Sequence, residues 1–515
     1  MKYNLKYIPL ALVAFAMSTG CDKKLEQANP NQQTSATFWQ NTGDALKGVN
    51  ATYGSLLIDG TYMRFTPALL DLRGDDLKSN SPWTAFSNIG KFSLGTADGA
   101  GYGWAYEAYY QGISRANQVL QFVPAIDMDA NLKARILGEA RFLRGLYYFH
   151  LVNFYGKVSI ATEATAGTLY VPQSTEAEGW DQVISDFKAA SEILPTTYSA
   201  NDVGRATKGA ALAFLGKAYL FNKNFAEAAK NFKAVIDLGI YSLVPEYKTN
   251  FMDGAANENN KESLFEVQFS RDAGGVDLGW GGAPVSGWGK TSSRAITYAA
   301  RSFGWTDVQP TRSVYDEFLL EKTVGGEIDP RMDATMFYNK PGDMPMYKTT
   351  FKTRYGANQA DLNDLFVAKY ENGNGDRPDE FDWRSGINER IMRYADVLLM
   401  YAECLNEANN RAEAAKYVQM VRTRAKLPNR EAEFALLSQE AFREVLAHER
   451  LLEFCLEGHR FDDIRRWGWL TNPTKIALLK SRDPEFNSFV AGREYYPIPQ
   501  NEIDNNPGFI QNATY

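Results

Sequence analysis

The chain has 515 residues, a formal net charge of −7, 13 % aromatic residues and three cysteines. That balance excludes a nucleic-acid partner, whose phosphates demand a basic footprint, and three cysteines cannot staple a small disulfide scaffold. The length supplies ample core for one large domain or several, and beyond the first twenty residues no stretch is long and apolar enough to span a bilayer.

Residues 1–20 carry Lys2 and Lys6, an apolar run from Ile8 to Met17, and then Ser18, Thr19 and Gly20. A basic flank, a short apolar middle and a small-residue exit read as a secretory signal. Small residues directly before Cys21 resemble the lipobox of bacterial lipoproteins, in which the thiol is acylated and the leader is cut before the cysteine. Residue 18 is serine where that pattern usually has an aliphatic residue. Acyl chains on Cys21 anchor a protein without a membrane helix, and polar residues 22–37 read as a tether.

From residue 38 to 243 the spacing predicts helices over 34–57, 104–123, 131–155 (ended by Gly156) and 179–194 (ended by Pro195), with residues 58–103 as an inserted loop. In residues 205–243, Leu215-Gly216, Tyr219, Ala228 and Phe232 fall on tetratricopeptide spacings, in which small residues let two helices approach and aromatics fill the gap. Tyr401-Ala402, Leu405, Ala414 and Val418 repeat the step from small residue to alanine, on a helix read over 391–408. The fold class predicted is mostly α, a helical-repeat scaffold. Between 244 and 388 the helical period gives way to a loop-rich subdomain, before helices return over 389–515. Cys404 and Cys455 read as buried free thiols, with one disulfide as the open alternative.

The passages EARFLRGLYYFHLVNFYG (139–156), RATKGAALAFLGKAYL (205–220), ESLFEVQFS (262–270), ERIMRYADVLLMYAECLNEA (389–408), ERLLEFCLEGHRFDDIRRWG (449–468) and REYYPIPQNEIDNNPGFIQN (493–512) resemble the signature segments of the SusD/RagB family. That resemblance runs from Cys21 to the last residues. It implies a tetratricopeptide-type scaffold with a large irregular subdomain, lipid-anchored on the outer membrane. The protein would act as a lid on a SusC-like TonB-dependent channel, binding a glycan, or sometimes a peptide, and passing it on unchanged. Cys404 and Cys455 stand where the family more often has alanine.

Catalysis has little support in the residues. His150, His448 and His459 fall in no metal-ligand spacing, and neither a G-x-S-x-G elbow nor a P-loop is present. Asp396, Glu403 and Glu407 share a helix face, but that helix is apolar on nearly every other side. They read as ion pairs with Arg393, Arg422, Arg424, Arg443 and Arg450. No cofactor is called for, calcium being the one candidate. Asn372, Asn374 and Asp376 alternate as in the first half of a calcium loop, yet position twelve is Trp383, so a solvated turn is the favoured reading.

Sugar recognition needs flat apolar faces rimmed by hydrogen-bonding groups. Two stretches offer them. Residues 71–86 carry Asp71, Arg73, Asp75, Asp76, Asn80 and Trp83; the glycine-rich loop carries Trp280 and Trp288 and continues to Tyr298, Arg301 and Trp305. Trp83, Trp280, Trp288, Arg73, Asp75 and Trp305 are therefore the candidate ligand-binding residues. Each tryptophan has the alternative of anchoring a loop, which is the preferred reading for Trp104. The same architecture with a peptide ligand, or with a transporter and no ligand site, stays open.

Overall fold

The computed structural model describes residues 38–164, 170–271, 290–371 and 385–515. The signal, Cys21 and the tether lie outside them, as do Trp280, Trp288, Asn372, Asn374 and Asp376.

The scaffold is a continuous stack of helices, each packed on the next: Tyr102–Phe122, Ala130–Tyr155, Glu176–Ile193, Lys208–Phe221 and Phe225–Asp237. The stack then crosses the subdomain in sequence, because Phe225–Asp237 packs against Tyr394–Glu407, which carries Arg411–Arg424. Ala130–Tyr155 is its centre. Asp129 caps it by accepting the Leu132 N–H at 2.8 Å, and Gly156, at φ +69°, ends it. Every residue from Phe142 to Tyr155 is buried, as expected of a helix apolar all round. Arg144, buried with them, is held by both oxygens of Asp186 at 2.7 and 2.8 Å.

The two repeat matches fall where the spacing placed them, on Lys208–Phe221 with Phe225–Asp237 and on Tyr394–Glu407 with Arg411–Arg424. A Cβ on Gly216 would sit 2.7 Å from the Phe232 ring, so only glycine permits that approach. Lys223 and Asn409 occupy the equivalent turns and share a left-handed backbone, at φ 58° and 59°.

Three boundaries differ from expectation. The helix read over 34–57 is Thr42–Gly54, where Asn41 caps its start through the Gly43 N–H at 2.9 Å. The segment 58–103 is no plain loop; it contains the helices Phe65–Asp71 and Thr84–Gly90 and the strand Leu77–Ser79. Residues Glu389–Arg393 form a strand antiparallel to Ser263–Val267, so the helix read over 391–408 begins at Tyr394. Within the described part of 244–388 the elements are short: helices Arg294–Tyr298, Arg312–Leu319, Arg331–Thr335 and Phe351–Tyr355 and, besides Ser263–Val267, strands of two or three residues. Cys404 and Cys455 are buried free thiols.

Candidate functional site

Leu77–Ser79 pairs antiparallel with Val308–Pro310, Lys78 opposite Gln309. The pairing is extended at both ends, since the Asn80 N–H donates to the Asp307 carbonyl at 2.8 Å and the Thr311 N–H to the Asp76 carbonyl at 2.8 Å. Chain geometry then sets what stands beside it. Trp83 opens the helix Thr84–Gly90 four residues past one strand, and Trp305 precedes the other by three. Together with Ser81, Pro82 and Asp307 they line a cavity of about 520 Å³, within the size range of small-molecule sites.

Trp83 is packed from behind, and Trp305 is held through its backbone. The Trp83 ring lies 5.5 Å from Phe65 and 5.6 Å from Phe86, and Trp104 backs it at 6.2 Å. The Arg64 guanidinium sits 5.4 Å from the Trp83 ring; its Nε donates to Asp59 at 2.7 Å. Trp83 is thus both loop anchor and cavity wall, whereas Trp104 is packing. Trp305 is 44 % exposed. Its backbone N–H donates to the Ile296 carbonyl at 2.9 Å, and the Asp307 backbone N–H to that of Thr297 at 2.9 Å. Between them Thr306 has φ 59°, an uncommon conformation for a β-branched residue, held by its hydroxyl donating to the Ala299 carbonyl at 3.0 Å. Strain so fixed by its surroundings is a frequent mark of a binding site. Burial raises the pKa of Asp307, against hydrogen bonding from Ser81 and the charge of Arg64.

The remaining polar candidates are not at this cavity. Arg73 is 3 % exposed; its guanidinium donates to the carbonyls of Arg493 and Glu494, over the rings of Phe461 (4.3 Å) and Tyr496 (4.4 Å). Asp75 is 1 % exposed and gripped by Arg460 at 2.9 Å and Arg482 at 3.0 Å. Burial alone would raise its pKa, but the two guanidinium groups lower it. Both side chains therefore lie apart from the Trp83–Trp305 cavity and fix the loop to the C-terminal segment. Asp71 binds Arg294 at 3.0 Å and the Tyr298 hydroxyl at 3.1 Å. Asp76, whose pKa is pushed to about 8 by burial and then by Asp75, is buried too. Arg301 pairs with Asp361 and Asp364, each at 3.1 Å. Ser81, Pro82 and Asp307 had gone unnoticed; their only sequence signal is adjacency to Trp83 and Trp305.

The acidic stripe of Tyr394–Glu407 is ion-paired as its helix context suggested. Asp396 binds Arg450 at 2.8 Å, Glu403 binds Arg466, and Glu407 takes Arg443 at 2.7 and 2.8 Å. Arg422 and Arg424 pair instead with Glu321 and Glu449, and with Glu262 and Glu453. No group of three or more potential metal-ligating side chains occurs among the described residues.

Comparison with known proteins gives two family matches, the SusD family over residues 261–515 and a family described as starch-binding associating with outer membrane over residues 79–220. SusD-like protein P25 of Formosa agariphila is 26 % identical, covering 95 % of both chains. The crystal structure of a SusD superfamily protein from Bacteroides vulgatus superposes with a TM-score of 0.81 at 26 % identity, covering 93 % of this chain and 100 % of that one. A laminarin-binding SusD-like protein superposes with a TM-score of 0.75 at 26 % identity and the same coverage. With the stacked-helix scaffold, these matches establish that the chain belongs to the SusD family.

Proposed function

We propose that this protein captures glycans at the Trp83–Trp305 cavity and hands them, chemically unchanged, to a TonB-dependent transporter of the outer membrane. One observation carries the reading: a three-residue strand pair brings two tryptophans from distant segments to one cavity of about 520 Å³. Aromatic faces suit the C–H faces of sugar rings, while Ser81 and Asp307 supply hydrogen-bonding groups at the edge. Support comes from the family described as starch-binding and from the laminarin-binding relative in structure. Lipid anchoring through Cys21 on the outer membrane agrees with that same description. Binding without catalysis fits the acidic stripe, whose carboxylates are held by arginines.

Isothermal titration with laminarin and starch oligosaccharides tests the site. Trp83→Ala and Trp305→Ala are each expected to weaken binding about tenfold, equivalent to about 1.4 kcal/mol, with the circular-dichroism spectrum unchanged. Glycan affinity that survives both substitutions would place the site elsewhere, and turnover of the oligosaccharide would make the protein an enzyme.

A further inference from the structure

A second cavity, of about 320 Å³, has different chemistry. Five of its lining residues are basic (Lys248, Arg331, Lys340, Arg424 and Lys426) and three are acidic (Glu246, Asp333 and Asp343), in a chain whose net charge is −7. Most of these charges already have partners. Arg331 is held by Asp329 and Glu449, each at 2.6 Å, and Arg424 by Glu262 and Glu453. Lys340 pairs with Asp333. Asp343 accepts the backbone N–H groups of Met344 at 2.8 Å and Lys352 at 3.0 Å. Lys248, Lys426 and the exposed Glu246 remain, and none of the three makes an ion pair among the described residues, so the lining carries two more basic than acidic groups. Lys248 is half-buried, and burial lowers its pKa against the opposing pull of Asp333. Its charge is under-compensated where it stands, and a bound anion would supply the missing partner.

We propose that this cavity binds a saccharide bearing an anionic substituent, a carboxylate or a sulfate ester, with Lys248 and Lys426 facing the anion. The charge requirement comes from the cavity; the saccharide body rests on the glycan reading above. The volume is far beyond what one small ion fills, since a single water needs only about 10–15 Å³. Pro245, Pro330 and Pro345 give the sugar body apolar contact. Lysines act as point charges without the arginine fork, so either anion geometry is served. The cavity shares no lining residue with the Trp83–Trp305 cavity, so the two sites fail or succeed separately.

The test is titration of the full chain with oligogalacturonate, a sulfated galactan oligosaccharide, a neutral laminarin oligosaccharide and inorganic sulfate. The anionic oligosaccharides are expected to lose at least tenfold in affinity in the double variant Lys248→Met/Lys426→Met. They should keep it in Lys248→Arg/Lys426→Arg, and bind less tightly as salt rises. The uronate and sulfate arms show which anion is preferred. The proposal is overturned if anionic probes bind the methionine variant as tightly as the parent. It is equally overturned if none of them binds, if inorganic sulfate alone binds, or if an acidic peptide of equal charge competes as well as the sugars. Loss of laminarin binding in the tryptophan variants is a separate outcome, bearing only on the first cavity.

Discussion

His448, on the helix Gln439–Phe454, has Nδ1 2.8 Å from Glu317 and Nε2 3.3 Å from Glu321. Burial on its own would lower its pKa, but hydrogen bonds to the two carboxylates dominate and raise it to about 9. The folded state therefore holds the proton more tightly than the unfolded chain, whose histidine titrates near pH 6.5. The stabilisation is fully present below about pH 6.5 and is lost as pH rises through about 9. His448→Gln should cost on the order of 2–3 kcal/mol at pH 6 and almost nothing at pH 10, read from urea midpoints at the two pH values. Glu317 also binds Arg482 and Glu321 also binds Arg422, so neither acid is stranded when the histidine is removed. A cost that did not change with pH would show that the ring acts by packing alone.

The paired helices make a sharper prediction. A Cβ on Gly216 would meet the Phe232 ring at 2.7 Å and one on Gly54 would meet nothing within 4 Å, although both have helical backbone. Gly54→Ala should stabilise by about 0.5–1 kcal/mol through propensity, while Gly216→Ala should destabilise by about 1–3 kcal/mol through overpacking. Thermal melts of the two variants shifting in opposite directions would show that close approach, not helix propensity, fixes the glycine in the motif. This contact also explains why the repeats were legible. Gly216, Ala228 and Phe232 lie within one helical hairpin, so their spacing encodes their contact directly. Residues 391–393 were read as the start of a helix because the strand they belong to, Glu389–Arg393, pairs with one over a hundred residues upstream, where no periodicity can report it. Arg73 and Asp75 show the same limit: their partners Arg493, Glu494, Arg460 and Arg482 arrive from the far end of the chain, which no local pattern announces. Trp83 and Trp305 could be chosen by residue type and loop context, but their meeting depends on a strand pair too short to be recognised in sequence.

Across the whole molecule, a buried ionic network joins the short-element region to the C-terminal helices. Arg393 binds Glu457 at 2.6 Å and Glu453 at 2.9 Å and also reaches Glu262, while Arg331 and Arg424 share Glu453. Burial would raise the Glu453 pKa, yet Arg424, Arg393 and Arg331 hold it well below the usual carboxylate range. Its contribution to stability is present above about pH 4.5 and is lost as pH falls. Replacing Arg393 by Met leaves Glu262, Glu453 and Glu457 short of a cation, and should cost about 3–5 kcal/mol. That loss should appear in a single cooperative calorimetric transition, since the network spans both regions; two separated transitions would show that they melt independently. The strand pair Leu77–Ser79 with Val308–Pro310 has a further consequence in time. Its halves leave the ribosome more than two hundred residues apart, so no partial chain ending before residue 308 can possess the tryptophan cleft. Until Val308–Pro310 has been made, Leu77–Ser79 is a strand with no partner, and Trp83 faces the place where the second wall of the cavity will stand.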